Sequence, residues 1–195
     1  MNYLFIDTCS NYLIISIVKN MEMIYSFKEK NDTKLSSKVM PIIDDAFIKT
    51  NLSINDINKI FIVNGPGSFT GIRVGVTIAK VIGFSLNIPL IKLSELELMA
   101  TTNTDSIYNI PIIDARRGYV YTATYDKDLN LISKERHMLF SDIEKPNSFT
   151  FIDDDNVDFD IIKIIKKHEF DKPINPHALI PNYLKKTEAE EKLND

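Results

Sequence analysis

The chain has 195 residues, 44% of them hydrophobic, which is enough apolar side chain for one large packed domain or two small ones. The net charge of −4 argues against a broad basic surface for nucleic acid. The single cysteine excludes an internal disulfide, so we expect the protein to reside in a reducing cytoplasm. The longest apolar run, residues 72–91, contains Arg73 and Lys80, so no membrane span is expected. The N-terminal segment MNYLFIDTCS has no basic stretch and apolar run before a small-residue cleavage site, so no signal peptide is expected.

The first half of the chain alternates predicted strands and helices. Runs rich in β-branched and aromatic residues at 3–8, 12–18 and 23–29, separated by polar turns, predict an antiparallel three-stranded meander. Apolar residues at helical spacing from Leu35 to Phe47 predict a helix that Pro41 kinks or delays. A buried strand at 59–64, a glycine-rich loop, a helix to about residue 86 and a strand at 88–93 follow.

The second half repeats the opening pattern. Residues 113–125 align without a gap on residues 6–18, and both segments start with Ile-Asp. This match predicts a duplicated α/β architecture, although any two amphipathic hairpins share some similarity. We predict one lobe over residues 1–104 and a smaller lobe with a charged tail over residues 105–195.

Shorter signals place the remaining elements. Ser94 and Glu97 have the spacing of a capping box that opens a helix. In the second half we expect a helix from Ser141, a strand at 149–153, a helix at 158–170 capped by Asp158, and a proline-broken extended segment at 172–184.

The glycine-rich loop GPGSFTGIRVG, residues 65–75, fits neither the Walker spacing nor the dinucleotide-binding spacing. It still leads into a helix, so free backbone N–H groups could hold an anion, or a side chain of the loop could cap them. Spacing alone favours the capped turn. The candidate residues for a weak anion or nucleotide contact are Asp7, Thr8, Gly67, Ser68 and Thr70.

Small residues recur at every fourth position of the following helix, at Gly71, Gly75, Ala79 and Gly83. They form a stripe on one helix face. Because each glycine costs helix stability, the stripe predicts close approach of another backbone. That backbone belongs either to the protein's own sheet or to a helix of another protein.

The reactive side chains indicate little chemistry. His137, His168 and His177 form no metal-binding pair, and there is no Cys-x-x-Cys motif, so no metal site is expected. Cys9 has no histidine near it in sequence. An ATPase or phosphotransferase that uses Asp7 and Thr8 stays open as the alternative function.

Four strings carry a family resemblance: IDTCS at 6–10, GPGSFTGIRVG at 65–75, IDARRGYVY at 113–121 and PNYLKKTEAE at 181–190. In this order they resemble the TsaB family, also called YeaZ, over nearly the whole chain. The resemblance implies a duplicated actin/Hsp70-like (RNase H-like) two-lobe α/β fold with a shortened second lobe. Leu35 and Tyr119 depart from the family, which often has a histidine and an acidic residue at these positions.

The resemblance also implies a role. TsaB-like chains are non-catalytic subunits needed to form N6-threonylcarbamoyladenosine at position 37 of tRNAs that read codons beginning with A. The implied partners are a TsaD-like catalytic subunit, a TsaE-like ATPase and tRNA through the complex, with a homodimer possible for the isolated chain. The complex is expected to use ATP, Mg²⁺ and a TsaD-bound metal, while this chain binds no cofactor tightly and no metal.

The resemblance assigns the small-residue stripe to the partner interface, with the preceding helix beside it. The expected interface residues are Gly71, Ile72, Gly75, Val76, Ala79, Ile82, Gly83, Val39 and Ile43.

Overall fold

The first half of the chain forms one mixed sheet of five strands. The computed structural model describes residues 1–31 and 34–185. The strands are β1 Asn2–Asp7, β2 Tyr12–Lys19, β3 Glu22–Lys30, β4 Lys59–Val63 and β5 Leu90–Leu93. Their order is β3-β2-β1-β4-β5. Strand β2 is antiparallel to both β1 and β3, and β4 is parallel to both β1 and β5. The predicted three-stranded meander is confirmed.

Three helices accompany this sheet: α1 Leu35–Thr50, α2 Phe69–Ser85 and the short α3 Glu95–Met99. Helices α1 and α2 pack against the strands and against each other. Helix α1 already begins at Leu35 and contains Pro41, so the predicted late start is wrong. Helix α3 opens directly after Ser94, as predicted, but the predicted capping box is wrong, because the Ser94 hydroxyl donates to Glu135 and makes no bond to the helix.

Four strands of the second half form the second sheet: β6 Tyr108–Asp114, β7 Tyr119–Asp126, β8 Leu131–Leu139 and β9 Phe149–Ile152. Their order, β8-β7-β6-β9, repeats the order β3-β2-β1-β4 of the first sheet, with β9 parallel to β6. The duplicated architecture is therefore confirmed. A 3₁₀ turn at Phe140–Asp142 stands where α1 lies in the first half, so the helix predicted from Ser141 is wrong.

The last helix, α4, runs over Ile161–His168. Its cap is Asp160, whose side chain accepts a hydrogen bond from the Lys163 N–H at 2.8 Å. The prediction of Asp158 as the cap is wrong, because α4 begins only at Ile161, directly after Asp160. Between residues 169 and 185 the regular structure is a 3₁₀ turn at Pro176–Ala178 and an isolated bridge between Leu90 and Ile174. The predicted charged tail lies outside the described residues from position 186 onward.

One main core joins both halves of the chain. It contains the first sheet, the inner faces of α1 and α2, and also Ala123, Tyr125 and Ile164 from the second half. A smaller cluster of Ile110, Val120 and Ile143 covers part of the second sheet. Because the halves share a core, the division after residue 104 stays a prediction. Within residues 1–31 and 34–185, no helix has both the length and the apolar character needed to cross a membrane.

Candidate functional site: a packed glycine loop, a helix face and a cleft

The glycine-rich loop is shaped by close contacts within the chain. A Cβ atom on Gly65 would lie 2.3 Å from the Asn182 carbonyl oxygen, and one on Gly67 would lie 2.3 Å from that of Cys9. A Cβ atom on Gly71 would lie 1.9 Å from the Thr8 carbonyl oxygen. Each of these glycines therefore makes room for a carbonyl group of the same protein.

Hydrogen bonds of the loop show the capped turn. The Ser68 N–H donates to the Cys9 carbonyl at 2.8 Å, and the Ser68 hydroxyl accepts from the Gly71 N–H at 3.2 Å. The Thr8 hydroxyl donates to the Gly71 carbonyl at 2.7 Å. Since the chain itself occupies these groups, nothing at the loop favours an anion over the capped turn, and the anion contact stays a prediction.

The small-residue stripe faces the protein's own sheet. Gly71, Gly75, Ala79 and Gly83 are all buried. A Cβ atom on Gly75 would lie 2.3 Å from Thr8 Oγ1, and one on Gly83 would lie 2.6 Å from Leu90 Cδ2. The assignment of the stripe to a partner's backbone is therefore wrong, because strands β4 and β5 and the turn after β1 already occupy that side of α2.

Other expected interface residues share this burial. They are Ile72, Val76, Val39 and Ile43, and all belong to the main core. Ile82 is partly buried and packs against the same core. These side chains help to hold α1 and α2 on the sheet, and their place in a partner interface stays a prediction.

The opposite side of these helices is open and partly apolar. We call it the outer helix face and define it by Met40 and Ile48 of α1 and Thr77 and Val81 of α2. Met40 is 43% exposed, Ile48 is 79% exposed and Val81 is 58% exposed. This face could have been found from the sequence. The buried side of α2 is already apolar, so Val81, an apolar residue that lies off the small-residue stripe, indicates a second apolar surface on the same helix.

A cleft of about 560 Å³ lies where the two duplicated hairpins meet. The turn after β1, the glycine loop and the turn after β6 supply its lining, which includes Cys9, Ser68, Asp114 and Arg116. Asp7 lies beneath it and accepts hydrogen bonds from the Cys9 N–H at 2.8 Å and from the Ser10 hydroxyl at 2.6 Å. Thus Asp7 holds the turn after β1 in place.

Three ionisable groups come together at the floor of the cleft, where Cys9 and Glu95 belong to the lining, and sequence spacing did not indicate this grouping. Ligand-type atoms of Asp7, Cys9 and Glu95 lie within 4.8 Å of one another, and all three residues are buried. Burial is the main cause that raises the pKa of each group, and the neighbouring carboxyls raise the pKa of Cys9 and of Glu95 further. Raised pKa values favour protonated forms, which are poor metal ligands.

Replacing Glu95 with glutamine is expected to stabilise the protein near pH 8. A raised pKa means that the protonated carboxyl stabilises the fold in acid, and that this stabilisation is lost as pH rises through the raised value. Glutamine keeps an oxygen that can accept from the Cys9 thiol, as the Glu95 carboxylate does at 3.7 Å, without the charge.

The measurement is the free energy of urea unfolding of wild type and Glu95→Gln across the range from about pH 5 to pH 8. The advantage of the variant should shrink toward the acid end. Glu22→Gln, at an exposed position, is the control that removes a charge without burial. A variant that is less stable than wild type near pH 8 would contradict this account of Glu95.

The three histidines lie in different surroundings. His168 Nε2 is 3.0 Å from Glu97 and Nδ1 is 2.6 Å from Asp171; burial alone would lower the pKa of His168, but the two carboxylates raise it. His137 stacks on Tyr119, and His177 packs against Phe84. Among the described residues, none of these histidines belongs to a group that could bind a metal ion. Arg116 lines the cleft.

Comparison with known proteins identifies the family. The family model for tRNA N6-adenosine threonylcarbamoyltransferase, TsaD, matches residues 29–153. The tRNA threonylcarbamoyladenosine biosynthesis protein TsaB of Bacillus subtilis is 35% identical over 136 residues, which cover 69% of this chain and 59% of the relative. TsaB of Escherichia coli is 35% identical over 98 residues, which cover 49% of this chain and 42% of the relative.

The chain thus spans less than two thirds of the length of these curated relatives. In structure, it matches YeaZ from Pseudomonas aeruginosa with a TM-score of 0.83 at 17% identity, covering 94% of this chain and 99% of that chain. This likeness confirms the predicted actin/Hsp70-like fold with two sheets. The chain therefore belongs to the family that the TsaD model describes and, within it, to the TsaB (YeaZ) proteins.

Proposed function

We propose that this chain is a partner subunit in the formation of N6-threonylcarbamoyladenosine at position 37 of tRNAs that read codons beginning with A. In this role it binds and supports a TsaD-like catalytic subunit and transfers no group itself. The names of its relatives support the pathway, and the match to the TsaD model supports a partner of related fold. A TsaE-like ATPase, tRNA, ATP, Mg²⁺ and a TsaD-bound metal belong to the proposed complex.

The observation that carries the proposal is the outer helix face. Its apolar side chains Met40, Ile48 and Val81 lie on two neighbouring helices whose buried sides are rigidly packed on the first sheet. Exposed apolar side chains on two helices that contact each other are typical of a protein–protein contact. We place the contact with the TsaD-like subunit there. The same face would pair two copies of the isolated chain.

A catalytic role finds less support. The residues considered for an ATPase, Asp7, Thr8 and Ser68, all make hydrogen bonds within the chain. These bonds stabilise the turn after β1 and the start of α2. Magnesium-dependent ATP turnover by the purified chain, abolished by Asp7→Asn, would support the ATPase alternative and count against a partner subunit without catalysis.

Replacing Val81 with glutamate is expected to weaken binding to the TsaD-like subunit of the same organism by at least about tenfold. The new carboxylate would lose water at the centre of the contact without gaining a partner, which costs about 1.4 kcal/mol or more. The measurement is calorimetric titration of the purified chain with that subunit. In parallel, sedimentation should show fewer dimers of Val81→Glu than of wild type.

Ile107→Glu is the matched control, since Ile107 is 53% exposed and precedes β6, away from α1 and α2. It adds the same charge at a comparable exposure and should bind normally. Unchanged affinity of a folded Val81→Glu, or equal loss in the control, would remove the outer helix face from the proposal.

A further inference from the structure

A cavity of about 580 Å³ lies along the outer edge of β5. Strands β4 and β5 and the start of α3 form one side of it, and β8, the end of α4 and the segment up to residue 182 form the other. We call it the β5-edge cavity. It shares no lining residue with the cleft described above, and the outer helix face does not reach it.

Asn64 brings an unused hydrogen-bond acceptor into this cavity. It follows β4, is 7% exposed, and donates from Nδ2 to the Ile180 carbonyl at 2.9 Å. Because only the amide nitrogen can pair with a carbonyl, the atom left over is Oδ1. Within residues 1–31 and 34–185 this oxygen accepts no hydrogen bond, yet it is not closed off from solvent, so it opens into the cavity. An acceptor on so deeply buried a residue requires a donor from water or from a ligand.

A half-buried carboxylate lies beside this amide. Asn182 connects the two, since its backbone N–H donates to the Asn64 carbonyl at 2.7 Å and its Nδ2 donates to Glu135 Oε2 at 3.3 Å. Glu135 also accepts from two hydroxyl groups, but it makes no ion pair with the part of the chain that the structure describes. The other carboxylates of the lining, Glu97 and Asp171, are paired with cations. The uncompensated charge of Glu135 therefore favours a cation in the cavity.

The backbone of β5 adds a donor to the lining. The Leu93 carbonyl accepts from the Asn64 N–H on the side of β4, and alternate residues of a strand face the same neighbour, so Lys92 faces the opposite side. Leu90 also faces that side, where its carbonyl accepts from the Ile174 N–H at 2.9 Å. Since β5 is the last strand of its sheet, the Lys92 N–H has no backbone partner among the described residues. It can donate to a ligand.

Apolar side chains complete the lining. They belong to the segment after α4 and include Ile174 and Ile180. The exposed residues Lys92 and Lys172 place two positive charges at the cavity. The lining thus offers acceptors that suit a cation, a donor that suits an anion, and an apolar surface.

We propose that the β5-edge cavity binds a free amino acid with an apolar side chain. Its ammonium group donates to Asn64 Oδ1 and to the Glu135 carboxylate, because an ammonium carries three donors and the positive charge that Glu135 lacks. Its carboxylate accepts from the Lys92 N–H, and its side chain contacts Ile174 and Ile180. The volume is that of an ordinary small-molecule site. This site does not depend on the proposed function.

L-Leucine is the probe, titrated into the full chain and followed by ¹H–¹⁵N NMR. The expected result is saturable shifts of the Lys92 N–H and of the side-chain amides of Asn64 and Asn182. Two analogues, 3-methylbutylamine without the carboxylate and 4-methylpentanoate without the ammonium, should each bind at least about tenfold more weakly, because each loses hydrogen bonds of a charged group. Equal affinity of 4-methylpentanoate would overturn the contacts with Asn64 and Glu135. Equal affinity of 3-methylbutylamine would overturn the contact with Lys92.

A variant tests the assigned cation contact. Glu135→Gln keeps a side-chain oxygen that can accept hydrogen bonds but removes the charge, so leucine binding should weaken about tenfold. Binding of 4-methylpentanoate, which has no ammonium, should not weaken. Glu144→Gln is the matched control, because Glu144 is an exposed carboxylate of the same half and does not line the cavity. Melting temperatures of both variants show whether they are folded.

The absence of saturable shifts at millimolar leucine would overturn the site and leave water as the partner of Asn64. An equal loss of affinity in Glu144→Gln and Glu135→Gln would also overturn it, since the attraction would then be the general charge of the surface. Unchanged leucine affinity of a folded Glu135→Gln would remove the ammonium contact and with it the reason for an amino acid.

Discussion

Replacing Gly71 with alanine is expected to destabilise the protein by about 3 kcal/mol, although alanine is the better helix former. The added Cβ atom would lie 1.9 Å from the Thr8 carbonyl oxygen, and that oxygen belongs to the backbone and cannot rotate away. The Thr8 hydroxyl also donates to the Gly71 carbonyl at 2.7 Å, so moving α2 away breaks this bond. The clash therefore outweighs the gain in helix propensity, which is about 1 kcal/mol.

Urea unfolding followed by circular dichroism measures this loss. Thr77→Ala is the matched control, because Thr77 lies exposed in the same helix and the change should leave stability within about 0.5 kcal/mol of wild type. If Gly71→Ala were as stable as the control, the turn after β1 would have to shift to make room for the added Cβ atom. The glycine would then serve another purpose than close packing.

Asn109→Ala is expected to cost about 3 kcal/mol, because it would leave two buried carbonyl groups without a partner. Asn109 is buried in β6, and its side-chain amide donates to the Ala100 carbonyl at 2.9 Å and to the Thr102 carbonyl at 2.8 Å. Its Oδ1 accepts from the Thr104 hydroxyl at 2.7 Å. This one side chain fastens the link between α3 and the second sheet.

Thermal and urea unfolding of Asn109→Ala test this role, with Asn147→Ala as the control at an exposed position. We expect a single transition at lower denaturant concentration, since both halves share the main core. Two separate transitions would show that the halves unfold independently and would support a domain boundary after residue 104. A loss no larger than in the control would mean that water replaces the amide.

Regular elements of this fold were predictable because their signals are local. Alternating and helical hydrophobic patterns located β1 to β4 and α2 within a few residues, and the match between residues 6–18 and 113–125 predicted the repeated hairpins. Such patterns reflect which side of an element faces the core. They are therefore readable without knowledge of what lies on that side.

Helix caps were predicted less well. Ser94 has the right spacing for a capping box, but its hydroxyl donates to Glu135 from the second sheet. Asp158 is a good capping residue, yet the helix begins only at Ile161 and Asp160 is its cap. At Ser94 a hydrogen bond across the fold replaced the local one, and spacing along the chain does not report such bonds.

Burial of charge was the feature least accessible to sequence reasoning. An acidic residue in the first turn of a helix, such as Glu95, is ordinary and is usually exposed. Here α3 is placed so that Glu95 lies 1% exposed beside Cys9 and Asp7. Glu95 is far from Asp7 and Cys9 in sequence, so their proximity becomes visible only once the strands and helices are placed in three dimensions.

The small-residue stripe of α2 shows most clearly what the sequence determines and what only the tertiary structure decides. The pattern Gly71, Gly75, Ala79, Gly83 determined that some backbone or side chain must approach the helix closely, because a missing Cβ has that consequence in any context. Which chain approaches was decided by the packing of α2 on the turn after β1 and on Leu90. The reason is that side-chain size is a property of a single residue, whereas a contact needs two surfaces, and the second surface here comes from strands distant in sequence.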